Sequence, residues 1–187
     1  MKRLGLSIAL FLSFLVSNGS AATLAATGQI RNTSLGGGLY NYTITLNNTG
    51  TGGLETFWFA WVPGENFLAT NPTNIVSPTN WSANITHGGA GDGYGIQWLT
   101  STAPLAAGSS LNFSFQSTDI PTAVAGNSVF YPTTPVGTSF IYSGGPFSDS
   151  GYQFVVASVP EPSDLCLLAL VVLMVPAVRL SRRFFYC

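Results

Sequence analysis

The chain is 187 residues long, 46% hydrophobic and 13% aromatic, yet only 7% charged, with six Lys and Arg against seven Asp and Glu. So few basic residues, gathered chiefly at the two chain ends, exclude a nucleic-acid surface, which needs clustered Lys and Arg. A single histidine, His87, excludes a metal site built of several histidines and any catalyst that needs two.

The N-terminus carries Lys2 and Arg3, an apolar run over residues 4–16, and small residues over 17–22. That pattern predicts a signal helix and a signal-peptidase site within residues 1–22, with cleavage after Ala21 or Ala22. No cysteine lies there, so a lipid-modified N-terminal cysteine is excluded.

Residues 23–159 have an ordinary single-domain length. Their charges are Arg31, Glu55, Glu65, Asp92, Asp119 and Asp149, five carboxylates against one arginine and a formal net of −4. Both cysteines, Cys166 and Cys187, fall later, so this domain must hold together on its core without disulfides. The residues are strand formers punctuated by Gly, Pro and Asn. Tyr40, Tyr42, Ile44 and Leu46 alternate with polar neighbours, the period of a half-buried strand. Residues 56–62 read as one continuously apolar strand, and 82–86, 93–99, 110–116, 138–142 and 152–156 as further strands. No helix-period segment exceeds a turn or two between the chain ends. The expected fold is all-β, an antiparallel β-sandwich of seven or eight strands. The phrases at residues 46–50 and 105–113 resemble immunoglobulin-like modules of bacterial surface proteins, which implies an immunoglobulin-like sandwich; a jelly roll is the alternative.

Catalysis is not expected in this domain, nor a cofactor. A Ser-His-Asp arrangement would have to use His87 with Asp92 or Asp149, and no Gly-x-Ser-x-Gly elbow accompanies them. A carboxylate pair for glycoside cleavage would have to come from Glu55 and Glu65, which read as surface charges near a strand start and a turn. Asp92 in its glycine-rich loop is too solitary for a calcium site, and Asp149 reads as a turn residue. The abundant candidates for a ligand surface are aromatic: Trp58, Trp81 and Trp98 with Tyr94, joined by Trp61, form possible glycan contacts in which ring faces stack on sugar faces. Core packing competes for the same tryptophans. Trp58 and Trp61, three apart, are expected on opposite faces of a regular strand, whereas Tyr94, Ile96 and Trp98 share one. Asn32, Asn41, Asn47, Asn80, Asn84 and Asn112 head Asn-x-Ser/Thr triplets and read as polar strand and loop positions.

The tail over residues 160–187 is of another kind. Pro160, Glu161 and Pro162 form an extended tripeptide, because proline fixes φ, lacks an N–H and biases its predecessor away from helix. Ser163 and Asp164 are good N-caps for the apolar run over 165–178, whose Leu165, Leu167, Leu168, Leu170, Val171, Val172, Leu173, Val175 and Val178 make it membrane-seeking. Fourteen residues span roughly 21 Å as a helix, and continuing through Leu180 to Tyr186 lengthens it if the arginines snorkel. Arg179, Arg182 and Arg183 place the C-terminus on the cytoplasmic side.

Tripeptide, transmembrane helix and basic stop in this order closely resemble the PEP-CTERM sorting signal of Gram-negative bacteria. The resemblance implies processing by an exosortase, a multi-pass membrane protease, and a mature protein in the outer envelope or outside the cell. Bacteria with this system usually make exopolysaccharide, so the resemblance further implies a structural or adhesive role in envelope or biofilm matrix, with exopolysaccharide as a partner. The expected precursor is held in the inner membrane by its tail after signal peptidase has acted.

Overall fold

The structure, a computed structural model of the chain, describes residues 22–159. Nearly all of the expected signal segment and the whole 160–187 tail lie outside the described residues. Within them the elements run β1 (Ala26–Gly36), β2 (Leu39–Asn48), β3 (Thr56–Phe59), β4 (Trp61–Val62), β5 (Glu65–Asn66), β6 (Thr73–Val76), β7 (Ser82–His87), β8 (Tyr94–Leu99), β9 (Ser110–Ser117), α1 (Pro121–Val124), β10 (Thr138–Tyr142) and β11 (Tyr152–Ser158). The fold is all-β, as the composition predicts, and α1 is a single turn started by Pro121 at a position where no N–H is needed.

Nine strands form one hydrogen-bonded sheet in the order β6-β9-β2-β1-β11-β10-β3-β8-β7, and β4-β5 is a separate two-stranded ribbon. The sheet curls so that its two halves face each other as a sandwich. Phe113 of β9 meets Phe57 of β3 at 5.2 Å and Trp98 of β8 at 5.0 Å between ring centroids. Alternation explains the faces: Tyr42, Ile44 and Leu46 of β2 and Phe113 and Phe115 of β9 are buried in the shared core, and their intervening neighbours are more exposed.

The two phrases around residues 46–50 and 105–113 are brought side by side. Leu46 pairs with Leu111 and Asn47 with Ser110 across β2 and β9. Asn48 is buried at the join; its amide donates to Gly52 O at 2.7 Å and Leu105 O at 2.9 Å, and its Oδ1 accepts from Gly50 N. A side chain that satisfies three backbone groups explains an asparagine at the end of a core strand.

Three features depart from the sequence expectation. First, the sheet is not wholly antiparallel: β1 and β11 run parallel, with Gly28 beside Val156 and Ile30 beside Ser158. Second, β1 itself shows little hydrophobic signal, because its buried positions are Ala26, Gly28 and Ile30. Gly28 is required by the parallel neighbour, since a Cβ there would come within 2.7 Å of Val156 Cγ2. Third, residues 56–62 do not form one strand. Ala60 has φ 55°, a left-handed conformation that ends β3 and lets β4 fold back over it.

Candidate functional site

Of the expected site residues, Pro160, Glu161 and Pro162, the anchor residues from Leu165 to Val178, and Arg179, Arg182 and Arg183 lie outside the described residues. The last described residue is still bound to the sheet: Val159 N donates to Ile30 O of β1 at 2.9 Å.

The four aromatic residues proposed as glycan contacts do not form one surface. Trp98 is 0% exposed and stacks on Phe57 inside the sandwich, with centroids 5.5 Å apart. Its inward parity follows Ile96, as the spacing predicts. Trp81, 6% exposed, packs edge-on against Phe113 and donates its Nε1–H to Ala103 O. Tyr94 is half-buried and stacks on His87 at 4.3 Å. Only Trp58 belongs to the opposite, outer face of the sheet, and it is itself covered. The exposed platform of tryptophans is therefore corrected: the hydrophobic core claims Trp81 and Trp98.

What the outer face carries instead is an aromatic cluster that sequence spacing misassigned. Trp58 and Trp61 lie on the same side, stacked with centroids 3.9 Å apart and planes 14° from parallel. The left-handed turn at Ala60 breaks the two-residue parity that would have separated them. Tyr142 meets Trp58 edge-on and Phe140 meets Trp61 at 88°. Above them sits Phe147, from the glycine- and serine-rich β10–β11 loop. Its ring centroid is 5.8 Å from Trp58, 6.0 Å from Trp61 and 5.6 Å from Tyr142, yet the residue is 62% exposed. Its φ of 61° is uncommon for a bulky residue.

Register extends this cluster into a polar surface. Phe140, Trp58, Gln97 and Asn84 are successive partners across β10, β3, β8 and β7, and so face the same way. Tyr142, Thr56, Leu99 and Ser82 form the parallel row beside it. Asn84 and Ser82 are exposed and Gln97 is half-buried. A shallow hollow lined by Glu55, Asn80, Ser82, Leu99, Ser101 and Gly145 continues the same face toward the Phe147 loop.

The carboxylates have local duties. Asp92 Oδ1 accepts from Asn66 N at 2.8 Å and Tyr131 OH at 3.1 Å, while Oδ2 accepts from Gly88 N at 2.8 Å and from the Asn66 side chain. Partial burial works against its ionisation, but these four hydrogen bonds outweigh it and hold the carboxyl below its ordinary value. Asn66 in turn accepts from Thr86 Oγ1. Gly95 lies beneath, where a Cβ would crowd Asn66 Oδ1 at 2.7 Å, Thr86 Oγ1 at 2.8 Å and the Trp61 side chain at 3.2 Å. Asp149 similarly staples the β10–β11 loop, accepting from Ser143 N, Ser143 Oγ and Gly151 N, which outweigh its own burial and lower its pKa. Asp119 accepts from Ala69 N and Thr70 N. His87 is held by its own loop, with Nδ1 2.8 Å from Gly93 O. Glu65 sits on β5, and Glu55 N donates to Tyr142 O beside β3. Among the described residues no group of three or more His, Cys, Asp or Glu side chains is placed to hold a metal ion, and no helix is long and apolar enough to cross a membrane.

No known family model matches the sequence, and no curated protein matches it. Two solved structures that overlay on it are both of the GH20 exo-β-N-acetylglucosaminidase from Vibrio harveyi, one in complex with N-acetylglucosamine and one an inactive mutant. Each is 12% identical, covers 72% of this chain and gives a TM-score of 0.38. The chain matches 18% of that enzyme's length, and a TM-score this low does not define a shared fold.

Proposed function

We propose that this chain is an exported, non-catalytic β-sandwich that is sorted to the outer envelope or extracellular matrix of an exopolysaccharide-producing bacterium, where it serves a structural or adhesive role. The domain is read as an immunoglobulin-like sandwich, with the parallel β1–β11 pair as its departure from an all-antiparallel one. One observation carries the sorting part: Pro160-Glu161-Pro162, the apolar run and the arginines occur in that order directly after the last strand. Signal peptidase and an exosortase are the processing partners, and the transient tether is the helix over residues 165–178 with the C-terminus cytoplasmic. The domain's acidic balance gives nucleic acid no foothold.

The test is the mass of the mature protein recovered from each cell fraction of its own host, beside a variant with Pro160, Glu161 and Pro162 all changed to alanine. Loss of both ends in the wild type, with a membrane-retained precursor in the variant, supports the proposal. Normal maturation of the triple variant overturns it. A second reading, carbohydrate binding by the domain, is favoured by the aromatic cluster on its outer face.

A further inference from the structure

We infer that the outer face of the β10–β3–β8–β7 half binds a neutral polysaccharide, with Phe147 as the stacking residue and Gln97 and Asn84 as the hydroxyl-reading row. This rests on the carbohydrate-binding reading and gives it a site and a ligand class. A sugar ring has an apolar face and a polar rim, so its site needs an exposed aromatic ring fixed from below and, within a strand spacing or two, uncommitted hydrogen-bonding groups. Phe147 meets the first need: its ring is open to solvent above and supported by Trp58, Trp61 and Tyr142 below.

Gln97 and Asn84 meet the second. They continue the Phe140–Trp58 row across two more strands, each about 4.8 Å further along the sheet. Neither side-chain amide makes a hydrogen bond among the described residues.

Charge narrows the class. Glu55 is the one charged residue lining the adjoining hollow, and residues 23–159 carry a formal net of −4, so a polyanionic glycan is repelled. The continuous row of partners across four strands suits an extended chain lying across them rather than a free monosaccharide.

The test uses the full-length protein in detergent micelles. Migration is followed through native gels containing soluble neutral β-glucan, dextran or alginate, and depletion is followed onto cellulose and chitin. At least one neutral polysaccharide should retard or deplete the protein, and alginate should not. F147A and the double variant Q97A/N84A should each weaken that binding about tenfold or more while leaving the circular dichroism spectrum unchanged. Preferential binding to alginate overturns the ligand class. Neutral binding that survives both variants overturns the site but leaves carbohydrate binding standing. No binding to any of the five overturns both. A variant that alters the spectrum is replaced by F147S or Q97E/N84D, read by the same criteria.

Discussion

Phe57 and Trp58 are neighbours in the chain and turn to opposite sides of β3, and the aromatic groups they join share composition but not placement. The inner group draws Phe57, Trp98 and Phe113 from both halves of the sandwich, with centroids 5.0–5.5 Å apart and no exposure. The outer group draws Trp58, Phe140 and Tyr142 from one half of the sheet and Trp61 from the β4–β5 ribbon, and is topped by a largely exposed phenylalanine. Aromatic burial on the inside joins two layers, whereas outside it stiffens a surface. An abundance of tryptophan is therefore uninformative until each ring is assigned a face, because a core and a ligand platform draw on the same residues.

The contrast can be broken in graded steps. Trp98→Ala should have the largest effect, a loss of about 3–5 kcal/mol in denaturant unfolding, because it opens a cavity between the layers. A loss no larger than that of Phe147→Ala would erase the distinction. Ala60→Val comes next: a β-branched residue at φ 55° should cost about 1–3 kcal/mol and disturb the Trp58–Trp61 stack, read as a change in near-ultraviolet circular dichroism.

The pH response is smaller. Asp92 and Asp149 have folded pKa values lowered from 3.8, so their stabilisation is fully present above about pH 4 and is lost as pH falls through the lowered values. Thermal midpoints between pH 7 and pH 3 should drop less steeply in Asp92→Asn, which has no proton to take up at that position. The smallest effect is that of Phe147→Gly, within about 1 kcal/mol of wild type, because relief at φ 61° offsets the lost ring contacts.

Much of the strand pattern is legible from local alternation. Residues 40–47 and 111–115 announce their faces because every second side chain is large and apolar. β1 stays hidden because two of its inward positions are only Ala26 and Gly28, and Gly28 must be small to admit β11, a neighbour more than a hundred residues away in the chain. β6 is four residues with a register irregularity against β9, too short to show a period. The outer cluster was illegible for two reasons. A single left-handed alanine reverses the face of Trp61, and Phe147 comes from a loop whose sequence reads only as glycine and serine turns. The long-range parts of the roles of Asn48 and Asp92 are equally invisible, since Leu105 O and Asn66 N come from remote segments.

The parallel β1–β11 pair has a mechanical consequence. The first residues of β1 and the last of β11 lie at opposite ends of that ladder, which continues through the bond from Val159 N to Ile30 O. Tension between the two chain ends therefore pulls these strands past each other lengthwise and loads the intervening bonds together, instead of peeling them apart one after another. A domain tethered by its tail and tugged from its front would resist as a lap joint rather than a zip.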